Sequence, residues 1–155
     1  MRLFELSPHR AQQSLCWITD DIAIGGASAG NKRRVLRDLG VHTLLDLRTR
    51  DEGGGRDHES RDLVYRWFPI DDFAAPAPID LLEVSAWVSD RLRSGKALIN
   101  CREGRGRSAL VACATLMRLG HSIDGAYQVV RRGQPQVALS GDQVRALEES
   151  TTLQS

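Results

Sequence analysis

The segment ALINCREGRGRS, residues 97–108, holds the strongest structural signal in the chain. It opens with a short, mostly apolar run typical of a buried parallel strand. A glycine-bearing segment follows, and residues 106–119 are apolar on most sides, as in a central helix. A loop that joins a strand to a helix in this way directs backbone N–H groups to one point, where the helix dipole adds positive charge. The segment therefore predicts an anion-binding loop.

Cys101 and Arg107 bracket this loop. The converging N–H groups and the helix end favour the thiolate form of a cysteine, which is its nucleophilic form. Arg107 lies six positions after Cys101, so the loop must curl back for its guanidinium to face the sulfur. A guanidinium fork suits two oxygens of a phosphoryl group. Gly104 and Gly106 let the backbone adopt the required conformations without Cβ clashes.

Alternating strand and helix signals surround this segment, with no repeat or long linker, so we expect a single domain over residues 1–155. Residues 49–62 contain three consecutive glycines and many charges, which predicts an exposed loop. Strands are predicted at residues 15–18, 22–24 (a hairpin with the first), 41–47, 63–69 and 97–100. Helices are predicted at residues 31–39, after the prolines at 76 and 78, at 106–119, at 122–132, and after a capping box formed by Ser140 and Gln143.

The composition is that of a soluble globular domain, with 155 residues, 41% of them hydrophobic and 26% charged. A net charge of +1 gives no bulk attraction to nucleic acid or membranes. No apolar run is long enough for a membrane span, and the N-terminus lacks a signal-peptide core. Three scattered cysteines and four scattered histidines indicate neither a disulfide framework nor a metal site. We expect a monomer in a reducing cytoplasm.

The segment Cys101–Ser108 resembles the C-x5-R-[S/T] loop of cysteine-dependent protein tyrosine phosphatases, and its C-x-x-G-x-G-R spacing is closest to the small atypical dual-specificity branch. The resemblance continues in residues 17–26, in VHTLLDLR at 41–48, in FPIDDFAAPAP at 68–78 and in residues 129–143. It implies an α/β fold of the protein tyrosine phosphatase type, with a central mixed, mostly parallel sheet flanked by helices on both faces. It also implies hydrolysis of phosphomonoesters without metal or cofactor.

The resemblance assigns roles to four residues. Cys101 would attack phosphorus and form a phosphocysteine intermediate, while Arg107 and the loop N–H groups bind the phosphoryl oxygens. Asp72 would protonate the leaving oxygen and later activate water. Asp71 competes for that role, but Asp72 stands directly before Phe73, as the family pattern favours. Ser108 would hydrogen-bond the cysteine sulfur, or serve only as a helix N-terminal serine.

The substrate class is less determined than the chemistry. Loop residues Arg102, Glu103, Gly104, Arg105 and Gly106 would form the substrate-binding cup. The family implies phosphotyrosine, phosphoserine or phosphothreonine in proteins. Arg102 and Arg105 also resemble basic residues at these positions in phosphoinositide and phosphatidylglycerophosphate phosphatases of the same superfamily, although they could simply be solvated and paired with Glu103. A phosphate-binding protein without turnover is a third possibility.

Five further residues have open interpretations. Asn100 replaces the family's usual histidine and carries no charge, so we expect a somewhat less readily ionised Cys101 and not an inactive protein. Phe73 either covers the pocket or packs in the core. Gln143 either positions water or only caps its helix. Cys16 and Cys113 are either core residues or partners of Cys101 in a reversible disulfide.

Overall fold

The computed structural model describes residues 15–29, 33–56 and 63–154. Within these ranges, five strands and five α-helices follow one another. The strands are β1 (Leu15–Trp17), β2 (Ile22–Gly25), β3 (Val41–Asp46), β4 (Val64–Trp67) and β5 (Lys96–Asn100). The helices are α1 (Arg33–Asp38), α2 (Pro78–Arg91), α3 (Arg107–Arg118), α4 (Ile123–Gly133) and α5 (Gly141–Gln154), with a short 3₁₀ helix at Arg50–Glu52.

The strands form one sheet in the order β1-β2-β5-β3-β4. Only the β1–β2 hairpin is antiparallel, while β2, β5, β3 and β4 run parallel to one another. The predicted mixed, mostly parallel sheet is thus confirmed. β5 lies in the middle of the sheet, between β2 and β3. In open α/β sheets, ligands bind at the carboxyl ends of the strands, at the place where the strand order reverses direction. Cys101 follows directly on this central strand.

Successive side chains of β5 point to opposite faces of the sheet and so pack into two separate apolar clusters. Ala97 and Ile99 contribute to a large apolar cluster with α2, α3, α4 and α5, whereas Leu98 joins a smaller cluster with Leu36 of α1. Helices therefore lie on both faces, as predicted, with α2, α3, α4 and α5 on one face and α1 on the other. Helix α3 is buried from Arg107 through Leu116, which confirms its predicted central place.

The prediction of an exposed loop at residues 49–62 is wrong in part. Gly54 is buried, and the Gly55 N–H donates to the Tyr65 hydroxyl at 3.0 Å. The Trp67 Nε1–H donates to the Arg48 carbonyl at 2.7 Å, and a Cβ on Gly55 would stand 2.8 Å from the Trp67 ring. The glycines pack under two aromatic side chains of β4, so this turn is anchored to the sheet. Residues 57–62 lie outside the described part of the chain.

Several predicted boundaries shift by a residue or two, and the predicted helix start at residue 31 and the N-terminal segment before residue 15 lie outside the described residues. Among the helices that the structure describes, none is both long enough and apolar enough to cross a membrane.

Candidate active site

The loop between β5 and α3 is seated on the end of β2. The Cys101 N–H donates to the Gly25 carbonyl at 3.1 Å, and the Ala27 N–H donates to the Arg102 carbonyl at 3.0 Å. Gly104 has φ 73, and a Cβ there would lie 2.7 Å from the Gly25 carbonyl carbon. Only glycine meets both conditions, because an L side chain disfavours this φ and the β2 backbone fills the space. These backbone contacts with the end of β2 make the loop curl.

The curled loop surrounds the Cys101 sulfur with hydrogen-bond donors. The Gly104 N–H donates to Sγ at 3.2 Å, and the Ser108 hydroxyl lies 3.2 Å from Sγ. Ser108 is in the first turn of α3, so its backbone also belongs to the positive end of that helix. Cys101 itself is buried, with 2% of its surface exposed. A backbone donor, a hydroxyl and the end of α3 thus all lie at the sulfur.

The two terminal nitrogens of the Arg107 guanidinium are held by Glu52 and by the Ile70 carbonyl. Its Nη1 donates to Glu52 Oε1 at 2.7 Å and to the Ile70 carbonyl at 2.8 Å, and Nη2 donates to Glu52 Oε2 at 3.0 Å. Its Nε–H has no hydrogen-bond partner within the described ranges. Burial disfavours its charge, but the hydrogen bond to Glu52 and the negative charges of Cys101 and Asp72 outweigh burial and raise the pKa of Arg107. The guanidinium is thus a fixed cation with a donor left for an anion.

Glu52 is the functional residue that sequence reasoning missed. The hydrogen bond from Arg107 lowers the pKa of Glu52 from an ordinary value of 4.5 to about 2, against the opposing effect of burial. The Thr49 N–H also donates to Oε1 at 2.9 Å. The T-x-x-E spacing at 49–52 is a capping-box signature, and it was the one available signal that this turn is ordered.

The structure brings Asp72, not Asp71, to the guanidinium. Asp72 Oδ1 lies 3.6 Å from Arg107 Nε and accepts a hydrogen bond from the Phe73 N–H at 3.1 Å. The Asp71 carbonyl accepts from the Ala74 N–H at 3.0 Å, which closes a turn. We call this turn, residues 71–74, the acid turn. Phe73 is 73% exposed, which excludes core packing for its ring.

The remaining loop residues divide between the wall and the rim. Gly104 is buried and Gly106 half-buried, so their backbones form the wall of the cup. The side chains of Arg102, Glu103 and Arg105 are exposed around it. The Arg105 carbonyl accepts a hydrogen bond from the Ala138 N–H at 3.0 Å. Of the residues predicted for catalysis, Cys101, Arg107, Asp72 and Ser108 come together, while the three charged rim side chains face solvent.

Asn100 and the other cysteines lie in different surroundings. Asn100 is fully buried, and neither of its side-chain polar atoms has a hydrogen-bond partner in the described part of the chain. Burial raises the pKa of Cys113 to about 12 and raises that of Cys16, and both pack with the large cluster. No group of three or more metal-ligating side chains occurs among the described residues.

A buried sulfur with two donors, a fixed guanidinium and a nearby carboxylate can together bind a tetrahedral dianion and carry out nucleophilic displacement on it. The carboxylate can supply the proton that a leaving alkoxide or phenoxide needs.

Comparisons with known proteins agree with this chemistry. Residues 23–121 match the family model described as "Polymorphic toxin system, DSP-PTPase phosphatase". The chain is 32% identical to dual specificity phosphatase 28 of Mus musculus over 115 residues, which are 72% of this chain and 68% of the relative. The crystal structure of Tk-PTP in its active form is 30% identical, with a TM-score of 0.76 over 90% of this chain and 97% of that one. Human DUSP28, at 24% identity, shares the fold with a TM-score of 0.79, over 92% of this chain and 96% of that one.

The predicted resemblance is therefore confirmed, and the mechanism general to that family proceeds through a phosphocysteine. The chain belongs to the DSP-PTPase phosphatase family of polymorphic toxin systems, and it is a cysteine-dependent dual-specificity protein phosphatase.

Proposed function

We propose that Cys101 is the nucleophile of this phosphatase, Arg107 its phosphate-binding cation, Asp72 its general acid and Ser108 the group that assists the leaving thiolate. The observation that supports this best is the position of the Cys101 sulfur, 3.2 Å from both the Gly104 nitrogen and the Ser108 hydroxyl at the positive end of α3. Arg107 Nε lies 3.6 Å from Asp72 Oδ1, which places the carboxylate near the phosphate-binding loop.

In the first step the Cys101 thiolate attacks phosphorus, an S–P bond forms and the bond from phosphorus to the substrate oxygen breaks. Protonated Asp72 gives its proton to that oxygen. The loop N–H groups and the Arg107 Nε–H bind the equatorial oxygens as negative charge spreads over them. The fixed pair with Glu52 keeps the guanidinium in place before substrate arrives.

In the second step a water molecule attacks the phosphocysteine and the Asp72 carboxylate accepts its proton. The S–P bond breaks, inorganic phosphate leaves and the sulfur returns to a thiolate. Ser108 can donate its hydroxyl hydrogen to the sulfur as this charge develops, which lowers the barrier to its departure.

We propose phosphorylated proteins as substrates, recognised around the cup by the backbone walls of Gly104 and Gly106 and by the exposed side chains of Arg102, Glu103 and Arg105. One chain supplies every group named above, so we propose that a monomer is active. A reducing cytoplasm is the compartment that would keep the Cys101 thiolate usable.

The test is hydrolysis of an aryl phosphate in the presence of a metal chelator by wild type, Cys101→Ser and the control Cys16→Ser. We expect activity in wild type and in Cys16→Ser, and none in Cys101→Ser. Full turnover by Cys101→Ser would refute the nucleophile.

A parallel panel of phosphotyrosine peptide, phosphothreonine peptide and phosphoinositide vesicles tests the substrate class. We expect the peptides to give the higher kcat/KM. A clear preference for the vesicles would replace the protein substrate with a lipid.

A further inference from the structure

The start of α5 contacts both halves of the site. Ser140 and Gln143 form the predicted capping box, in which the Ser140 N–H donates to Gln143 Oε1 at 3.0 Å and the Gln143 N–H donates to Ser140 Oγ at 3.2 Å. The Gln143 side chain is buried, with 1% exposed. Capping alone requires no contact with any other segment.

The same two side chains also hold the acid turn. The Ser140 hydroxyl donates to the Phe73 carbonyl at 2.7 Å, and Gln143 Nε2 donates to the Ala74 carbonyl at 3.0 Å. In each side chain the oxygen thus accepts a capping hydrogen bond from a backbone N–H, and a side-chain donor bonds to a carbonyl of the acid turn. The hydroxyl has a single hydrogen, and the structure directs it to the acid turn.

The segment that carries these residues is fastened to the phosphate-binding loop as well. The Ala138 N–H donates to the Arg105 carbonyl at 3.0 Å, and a Cβ on Gly106 would lie 3.7 Å from Gln143 Oε1. Residues 138–143, which we call the bridge, therefore connect the loop that holds the nucleophile with the turn that holds the acid.

The acid turn needs such support. Phe73 has φ 63, a left-handed conformation that is unfavourable for a residue with a Cβ, and no other non-glycine residue in the described ranges has a positive φ. Its ring is exposed, so packing of that side chain does not hold the conformation. The Ser140 bond to the Phe73 carbonyl acts directly on this strained residue.

We propose that Ser140 and Gln143 are positioning residues, which hold the Asp72 carboxylate at a fixed place over the phosphate-binding loop. This inference rests on the proposed role of Asp72 as general acid. A displaced acid matters most when the leaving oxygen is strongly basic, because a poor leaving group needs its proton in the transition state.

The experiment compares kcat/KM, which reports the step that expels the leaving group, for two substrates, 2,4-dinitrophenyl phosphate with an acidic leaving group and phenyl phosphate with a basic one. We expect Ser140→Ala to lower kcat/KM on phenyl phosphate at least tenfold and on dinitrophenyl phosphate less than twofold. Ser140→Thr, which keeps a hydroxyl, should restore most of the loss. Ser140→Gly removes the hydroxyl but keeps a good N-cap residue, and it serves if the alanine variant folds poorly.

The matched control is Ser122→Ala. Ser122 caps α4 by accepting a hydrogen bond from the Gly125 N–H at 3.0 Å. The variant therefore loses the same kind of helix cap, but at a place away from the acid turn. For this variant we expect the ratio of its kcat/KM to that of wild type to be the same on the two substrates. In an Asp72→Asn background, Ser140→Ala should add no further dependence on the leaving group.

Two results would overturn the inference. If Asp72→Asn shows the leaving-group dependence and the Ser140 variants slow both substrates equally or neither, the bridge does not position the acid, although the proposed acid stands. If Asp72→Asn itself shows no such dependence, the general acid is misassigned and the inference fails with it.

Discussion

Glu52 and Arg107 show how one buried ion pair sets the shape of a binding site. The carboxylate takes two of the guanidinium N–H groups and the Ile70 carbonyl takes a third. A long side chain that would otherwise sample many rotamers is thereby fixed before substrate binds. The pair is nearly enclosed, with 1% of the Arg107 side chain and 14% of the Glu52 side chain exposed, so water screens it only weakly.

Replacing Glu52 by glutamine should lower kcat/KM by about tenfold or more, because Arg107 loses its charged anchor. The matched control is Glu83→Gln, which breaks the exposed pair with Arg66 and should change kcat/KM less than about twofold. Steady-state kinetics on an aryl phosphate measures both. Equal rates for wild type and Glu52→Gln would mean that Arg107 needs no anchor.

The same pair makes stability depend on pH. The pKa of Glu52 is about 2 in the folded chain against 4.5 ordinarily, so its stabilisation is complete above pH 4.5 and is lost as the pH falls toward 2. The difference in free energy of unfolding between wild type and Glu52→Gln should therefore be larger at pH 6 than at pH 3. Urea titrations at the two pH values give the answer, and a constant difference would contradict the depressed pKa.

Asn100 places a polar side chain in the buried core at the end of β5. It is fully buried, and its amide has no hydrogen-bond partner in the described residues, which costs roughly 1–3 kcal/mol per unmet group. Asn100→Leu should therefore leave the free energy of unfolding unchanged or raise it, whereas Leu98→Asn on the same strand should lower it by about 2 kcal/mol or more. Urea unfolding compares the two. A large loss in Asn100→Leu would show that the amide is satisfied.

The loop from Cys101 to Gly106 depends on a close backbone contact with β2. Gly104→Ala adds a Cβ that would stand 2.7 Å from the Gly25 carbonyl carbon and 2.9 Å from the Gly26 nitrogen, both backbone atoms. We expect kcat/KM to fall by roughly tenfold or more, since the Gly104 N–H must leave the sulfur.

Gly120→Ala is the control for that substitution. Gly120 also has a positive φ, at 112, but no atom lies within 4 Å of an added Cβ. Both variants should lose about 1–3 kcal/mol of stability from backbone strain, and only Gly104→Ala should lose activity. Comparable activities for the two would show that the seat on β2 is not needed.

The elements differ in how well the sequence predicts them. β5 and α3 are predictable because an apolar strand, a glycine-bearing loop and an apolar helix follow one another without interruption. The 49–56 turn is not, because its order comes from Tyr65 and Trp67, which are distant in sequence and reach it only in the folded sheet. Glu52 was missed for the same reason, since its partner Arg107 lies 55 positions away.

Across the whole molecule, the three cysteines occupy different environments. Cys113 lies in the core of α3 with a pKa raised to about 12, and the pKa of Cys16 is also raised by burial. Both findings support core roles. Among contacts between described residues, only the Cys101 sulfur has a backbone N–H and a hydroxyl beside it.

Iodoacetamide at pH 7 should therefore label one thiol per native chain, Cys101, and three in denaturant. Vanadate, which mimics phosphate, should protect that thiol. Peptide mass mapping identifies the labelled residue. Faster labelling of Cys16 or Cys113 than of Cys101 would contradict the assigned environments.

The fold as a whole follows from the sequence more readily than the site does. The sheet order, with β5 at its centre, agrees with alternating strand and helix patterns and with the family resemblance. The place of Asp72 beside Arg107 depends on the acid turn, whose φ 63 at Phe73 and bonds to Ser140 and Gln143 no local pattern reveals. Long-range hydrogen bonds, not local propensities, arrange the groups that we propose as catalytic.

The most direct test of the proposed chemistry is the mass of the protein caught during turnover. Ser108→Ala should slow departure of the sulfur more than its attack, so the intermediate should accumulate. Acid quenching during hydrolysis of an aryl phosphate, followed by peptide mass spectrometry, should find one phosphoryl group on Cys101 and none in Cys101→Ser. Continued turnover with no phosphoryl group on Cys101, or with the group on another residue, would contradict the account.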